Sequence, residues 1–456
     1  MTKKLSRREF VSSAVAASAL AGVAGGGSRA AQRRRPNVLY VMADDMGWGD
    51  LSCYGRKDYR TPNLDRLAAE GVRFTHAYSA APVCTPTRCG FVTGRYPARV
   101  AVGLEEPLSW RRQLGEQKRD PGLPPEHPTV ASLLKAAGYR TALVGKWHLG
   151  YLPKYSPIKS GFEEFFGIMS GGGDYFTHKD ANGDADLFEA EVPVERVGYM
   201  TDLLTERAVG FLRRRHGTPF FLSLNYTAPH WPWEGPRDEA VSRSLGRGLG
   251  RFAAGGSPKV YAEMMRSLDE GVGRVLRALD DAGQARDTLV VFTSDNGGER
   301  FSDNRPFTGA KFDLHEGGIR VPALVRLPGV VPRGRTTEQV AVSMDWTATI
   351  LAAAGARAHP DYPLDGLDLL PVMAGTRAPF ERTLFWRNDV QSAARSGRWK
   401  YLKLGEADER LFDLAADEGE RTDVRLARPE VFERLRAEYV SWASQMLKPL
   451  PPRGVR

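Results

Sequence analysis

Four apolar runs of strand length, each stopping abruptly at polar residues, dictate the architectures open to this 456-residue chain. Pro36-Asn37-Val38-Leu39-Tyr40-Val41-Met42-Ala43 ends at Asp44 and Asp45. Tyr139 to Gly145 ends before Lys146 and His148, Phe220 to Tyr226 before His230, and Thr288 to Ser294 at Asp295. The first run is apolar on both alternations and the others behave alike, as central parallel strands covered on both faces must be. Helical patterns lie between them: Thr61 to Glu70 before Gly71, Thr129 to Ala137 before Gly138, Leu203 to Arg214, and Tyr261 to Ala282 before Gly283. Gly just past a periodic run is a helix stop. The alternation predicts an α/β fold, a doubly wound and mostly parallel sheet with helices on both faces. Ligands gather at the carboxyl ends of such strands. The polar residues that end the four runs are therefore expected along one edge, at one site.

The spacing assigns residues 36–375 to this body. Past residue 376 the pattern changes to short strands and turns (Thr383 to Trp386, Ser392 to Ser396, Trp399 to Leu404, Leu411 to Asp413), followed by a helix near Glu430 to Gln445. A smaller C-terminal α+β domain over 376–456 is expected. Gly171-Gly172-Gly173 and the stretch Gly246 to Gly256 read as surface loops able to border a cleft. Asp180, Asn182, Asp184 and Glu191 imitate a calcium loop. Ala185 stands where such a loop needs Gly, so the segment reads as solvated and acidic.

Residues 1–30 carry Lys3, Lys4 and Ser6-Arg7-Arg8-Glu9-Phe10-Val11, then an Ala/Val/Gly-rich stretch to about Gly27. They resemble a bacterial twin-arginine signal peptide. That resemblance implies folding and modification in the cytoplasm, passage through the twin-arginine translocation machinery, and a periplasmic or secreted product. The apolar stretch is short and Gly-interrupted, which disfavours a membrane anchor, and no stable membrane span is expected. Part of the net charge of +9 belongs to this leader, so it argues weakly for any anionic partner, and no nucleic acid is expected. Three cysteines, Cys53, Cys84 and Cys89, are too few for a disulfide scaffold and lack zinc-site spacing; pairing of Cys53 with Cys89 and simple burial both stay open.

Cys84-Thr85-Pro86-Thr87-Arg88, continuing Cys89-Gly90-Phe91-Val92-Thr93-Gly94-Arg95, resembles the signature of the type I sulfatases, the formylglycine-dependent enzymes of the alkaline phosphatase superfamily. The resemblance implies that a formylglycine-generating enzyme, which reads Cys-x-Pro-x-Arg, oxidises Cys84. Thr87 departs from the usual Ser or Ala, and an unmodified Cys84 is the alternative. An aldehyde hydrate has a chemical advantage: one hydroxyl can attack sulfur and the other can expel sulfate, whereas serine would leave a stable ester. Pro86 suits a first helical turn, which puts residue 84 at a helix N-terminus where negative charge is favoured. Arg88, one turn on, can orient the diol.

Asp44, Asp45, Asp295 and Asn296 are hard oxygen donors that suit Ca²⁺, or Mg²⁺, better than zinc. Asp-Asp after a strand is by itself more often a cap or turn, but Asp295-Asn296-Gly297-Gly298 reverses that reading. The resemblance makes all four metal ligands, with the diol of residue 84 as another. Gly145-Lys146-Trp147-His148-Leu149-Gly150 resembles the second sulfatase signature, and its Lys-x-His order puts both side chains on one face of an extended segment. By resemblance Lys146 binds sulfate oxygen and His148 deprotonates the second hydroxyl. His230 and Lys311 match positions that contact sulfate and protonate the departing oxygen. Glu316-Gly317-Gly318-Ile319-Arg320-Val321-Pro322 reads as structural, shaping the Lys311 loop.

The resemblance leans toward the arylsulfatase A and N-acetylgalactosamine-6-sulfatase branch. It implies a sulfated carbohydrate as natural substrate and aryl sulfate as an artificial one. Trp147, Tyr175, His178, Trp231 and Trp233 are expected on the leaving-group side. The rivals are a phosphonate or phosphate monoester hydrolase of the same superfamily and a catalytically silent protein that binds sulfated glycans.

Overall fold

A computed structural model describes residues 35–108 and 121–450; the twin-arginine leader expected at 1–30 lies outside the described residues. The described residues from 36 onward cluster as one compact unit. Its large sheet has the order β10-β2-β9-β8-β1-β7-β3-β4-β5-β6, with β11 also pairing β2. The central strands are β1 (Asn37–Ala43), β3 (Arg140–Gly145), β4 (Glu164–Ile168), β7 (Phe220–Asn225) and β8 (Thr288–Ser294), all mutually parallel in register. On one side β9 (Arg320–Arg326) runs antiparallel to both β8 and β2 (Val72–Tyr78), beyond which β10 (Arg335–Thr337) and β11 (Ala341–Val342) close that side. On the other, β5 (Leu187–Glu189) and β6 (Val192–Pro193) form an antiparallel margin. The expected mostly parallel α/β sheet is what forms.

The two-sided apolar pattern of β1 explains its central place. Leu39, Val41 and Ala43 pack into one core, against α1 (Pro62–Glu70), α4 (Met200–Arg213) and α5 (Pro258–Asp281). Val38, Tyr40 and Met42 pack into the other, against α2 (Cys84–Thr93), α3 (Val130–Ala136) and α7 (Ser343–Ala354), and Tyr40 stacks on Phe91 with ring centroids 3.7 Å apart. Burial of each large apolar side chain contributes about 1.5–3 kcal/mol, so a polar residue on either alternation would be costly.

β12 (Thr383–Arg387), β13 (Gln391–Ser396), β14 (Trp399–Leu404) and β15 (Asp408–Asp413) form a separate antiparallel sheet, followed by α8 (Pro429–Ser444). It shares a core with the larger body: Leu384, Trp386, Leu402 and Phe412 pack with Tyr78, Val342 and Met344. All three cysteines are free; Cys53 packs in the core on one face of the large sheet and Cys89 in the core on the other, which excludes a bond between them here. Among the described residues no helix is long and apolar enough to cross a membrane.

Candidate active site

The carboxyl ends of β1, β3, β7 and β8 deliver Asp44 and Asp45, Lys146 and His148, His230, and Asp295 and Asn296 to one place, as the pattern of apolar runs requires. Cys84 opens α2 beside them, so its side chain sits where the first amides of the helix lack intrahelical acceptors. The ligand atoms of Asp44, Asp45, Cys84 and His230 all lie within 4.8 Å of one another, and all four residues are buried. Thr87, the departure from the usual signature, accepts from Ala81 N at 3.1 Å and donates to Ala81 O at 2.8 Å. A serine hydroxyl would serve equally, so this departure leaves the turn before Cys84 intact.

Buried carboxylates must be paired or must hold a metal. Lys146 Nζ lies 2.6 Å from Asp44 Oδ2, and Lys311 Nζ lies 2.6 Å from Asp45 Oδ2. Arg88 turns its guanidinium to Asp295 Oδ2 at 2.7 Å and stands 3.5 Å from Asp44 Oδ1. Its guanidinium thus holds the carboxylates, and its charge also acts on Cys84. Burial pushes the Asp44 carboxyl well above the usual range and the Asp295 charge adds to this, outweighing Lys146 and Arg88. Burial also opposes ionisation of Asp45 and Asp295. Lys311 nonetheless holds Asp45 well below the ordinary carboxylate range, and Arg88 lowers Asp295. Asp44 Oδ1 and Asn296 Oδ1 are buried and accept no hydrogen bond. Three carboxylates and an orphaned amide oxygen in one buried cluster fit a hard divalent cation held by Asp44, Asp45, Asp295 and Asn296.

The two histidines have fixed tautomers. His148 Nε2 faces the carbonyl of Leu108 at 2.8 Å; a carbonyl only accepts, so Nε2 carries the proton. Its Nδ1 lone pair is buried and unpartnered. Burial, with Lys146 next, pushes its pKa well below the ordinary value, so it stands as a neutral base. His230 Nδ1 faces Trp231 O at 2.6 Å, which leaves Nε2 toward Cys84 and toward Asp45 Oδ2 at 3.5 Å. Burial lowers its pKa too. His148 has φ 54°, so the segment that was expected to be extended kinks there. Asp45 (φ 63°) and Phe312 (φ 74°) are also left-handed; such strain in non-glycine residues collects at functional sites.

A cleft of about 360 Å³ opens from Cys84, His148, His230 and Lys311 toward Trp231 and Phe312. Of the five aromatic residues expected to line it, only Trp231 does. Trp147 is buried in the core and donates to Tyr155 O, Tyr175 donates to Thr227 O, His178 pairs with Gly198 O, and Trp233 packs edge-on to Phe301. Large aromatic rings near a site are as readily claimed by its supporting core as by its cleft. Asp180 is not solvated: it is buried, accepts from Asn182 N and Asp184 N, and lines the cleft. Gly171 and Gly172 are not free surface loop either. A Cβ on Gly171 would lie 2.6 Å from the His148 ring, and one on Gly172 would lie 2.8 Å from the His230 ring. In the stretch Gly246 to Gly256, Leu249–Phe252 is helical, and Leu249 and Ala253 face the cleft. Glu299, missed from sequence although it adjoins Asp295-Asn296-Gly297-Gly298, stands 3.9 Å from Lys311 Nζ. Leu108 acts through its carbonyl and carries no sequence signal.

The sulfatase family model matches residues 36–356. N-acetylgalactosamine-6-sulfatase of Homo sapiens is 36% identical over 387 residues, spanning 80% of this chain and 71% of the relative. The crystal structure of Ps i-CgsB in complex with k-i-k-neocarrahexaose superposes with a TM-score of 0.80 at 30% identity, covering 92% of this chain and 95% of that one. A phosphonate monoester hydrolase of Agrobacterium radiobacter shares the fold, with a TM-score of 0.64 at 21% identity over 90% of this chain and 96% of that one.

Proposed function

This chain belongs to the formylglycine-type sulfatase family, whose members are sulfuric ester hydrolases, and on that premise we propose that it cleaves sulfate monoesters of carbohydrates. The observation that carries the reading is the meeting of Cys84 with Asp44, Asp45 and His230 within 4.8 Å at the sheet edge. Oxidised to formylglycine and hydrated, residue 84 supplies one hydroxyl to attack sulfur and a second whose deprotonation releases sulfate. Asp44, Asp45, Asp295 and Asn296 would hold a bound Ca²⁺, or Mg²⁺, which would supply positive charge to the reaction.

The chain's own groups divide the remaining work. Lys146 and Lys311 present ammonium groups to the sulfate. His148, neutral with its Nδ1 lone pair free, takes a proton from the nucleophile side. His230 Nε2 and Lys311 stand at the cleft side, where the alcohol departs. Arg88 holds Asp295 in place. Trp231 offers an apolar face to a sugar ring, and the N-acetylgalactosamine-6-sulfatase relative and the neocarrahexaose complex support that choice of substrate. Residues 1–30 make export through the twin-arginine machinery, after modification in the cytoplasm, part of the same reading.

Mass spectrometry of the peptide containing residue 84, from protein made with a formylglycine-generating enzyme, tests the nucleophile. An unconverted thiol throughout active preparations would overturn it. Rates on matched sulfate and phosphate monoesters test the reaction class; faster phosphate turnover would move the chain to the hydrolase reading, and binding of sulfated sugars with no turnover to the silent-protein reading.

A further inference from the structure

The loop between β8 and α6 (Glu316–Ile319) carries Lys311, and the C-terminal sheet and the segment that follows β15 grip it at successive points. Thr308 Oγ1 donates to Gly419 O. Asn388 Nδ2, in the β12–β13 turn, donates to Phe312 O at 3.0 Å, and Gln391 Oε1, at the start of β13, accepts from Leu314 N at 2.7 Å. At the loop's end Glu316 N donates to Glu420 Oε2 at 2.5 Å. Lys400 Nζ, on β14, lies 3.0 Å from Glu316 and 2.8 Å from Glu420, with all three side chains fully buried. The loop packs closely against α6, since a Cβ on Gly318 would lie 2.0 Å from Asp313 O and 2.4 Å from Ala310 O.

Phe312, next to Lys311, sits at φ 74° between two hydrogen bonds, its N–H to Pro82 O at 2.8 Å and its carbonyl to Asn388. A non-glycine residue stays in that conformation only when its surroundings over-determine it. We propose that the C-terminal sheet is a positioning device for the reaction: Asn388 and Gln391 hold Phe312 and Leu314 so that the Lys311 ammonium meets the charge growing on the departing oxygen. This inference rests on the role given to Lys311 under the proposed function. Neither Asn388 nor Gln391 lines the cleft.

Misplacing a catalytic group by about 1 Å can cost on the order of 100-fold. The loss falls unevenly, because a nitrophenolate delocalises its own charge and a poorer leaving group depends on the ammonium. The test compares kcat/KM of the wild type, Asn388→Ala/Gln391→Ala and Lys311→Ala on 4-nitrophenyl, 4-chlorophenyl and phenyl sulfate. The double variant is expected to lose under about 3-fold on the nitrophenyl ester and about 10- to 100-fold on phenyl sulfate, with bound calcium and Tm little changed. Gln391→Glu keeps the acceptor for Leu314 N and should retain wild-type behaviour, and the single alanine variants carry the test if the double variant fails to fold. Equal losses across the three esters, or none, would overturn the proposal. If Lys311→Ala itself leaves the leaving-group dependence unchanged, it is the role of Lys311 that fails, and absence of turnover in the wild type defeats the sulfatase reading itself.

Discussion

Lys311 Nζ lies 2.6 Å from Oδ2 of Asp45, while Lys146 makes the same contact with the preceding residue, Asp44. Two adjacent aspartates thus face two lysines from different segments of the chain. The left-handed backbone of Asp45 keeps the two carboxylates on one side, because an extended Asp-Asp pair would point them to opposite faces of the strand. Both carboxylates stay in one cluster, and each keeps its own cation.

Calcium should stabilise the fold directly. Asp44 is held above its ordinary pKa by burial and then by Asp295, a conflict that a divalent cation relieves. Chelation is expected to lower Tm, and Ca²⁺ at 100 times its Kd to restore about 2.7 kcal/mol. Asp44→Asn should blunt this calcium-dependent shift in calorimetry, and an unchanged shift would remove Asp44 from the metal site.

Cys84→Ser should fold normally yet lose turnover of 4-nitrophenyl sulfate by about 10⁴-fold or more, because a serine ester has no second hydroxyl to release sulfate. Matching circular dichroism spectra alongside steady-state rates check this.

His148→Ala removes the neutral base whose Nδ1 lone pair is free. We expect kcat to fall about 10²- to 10⁴-fold, with a burst of nitrophenol release in the first turnover because the later step slows most. Stopped-flow absorbance would detect the burst; a slow reaction without one would place His148 before the first bond cleavage.

Lys400→Met strands the buried carboxylates of Glu316 and Glu420. The expected cost is about 3–5 kcal/mol in denaturant unfolding. Adding Glu420→Gln should recover part of it, because burial already pushes the Glu420 carboxyl upward. An additive second loss would contradict the ion cluster.

Stability should also vary with pH through Asp186. Burial raises its carboxyl to about 7, against hydrogen bonds from Met169 and Ser170 N–H groups. The fold therefore holds the proton more tightly than the unfolded chain, whose carboxyl titrates near 3.8. This contribution is fully present below pH about 4 and is lost as pH rises to about 7, by at most about 4 kcal/mol. Asp186→Asn should flatten that part of the stability–pH curve measured by urea unfolding.

Much of this molecule was legible in the residues. The run Thr288 to Ser294 is β8 to the residue, and the other three runs match β1, β3 and β7 within a residue at either end. Such strands are readable because burial on both faces leaves no alternation to confuse with a surface strand. The C-terminal strands were legible by their turns. Asp180 and the aromatic residues misled for the opposite reason, since polarity and ring size say nothing about which neighbour claims a side chain.

Local order in the chain determined the strands, the helix that starts at Cys84 and the donors and cations that cap the strand ends, because each depends on residues within a few positions. Only the tertiary structure decided which lysine meets which aspartate, which nitrogen of His148 is free and what steadies the Lys311 loop. Those choices depend on contacts such as Lys311 with Asp45, 266 positions apart, and no sequence spacing encodes a hydrogen bond that the packed sheet must first bring within reach.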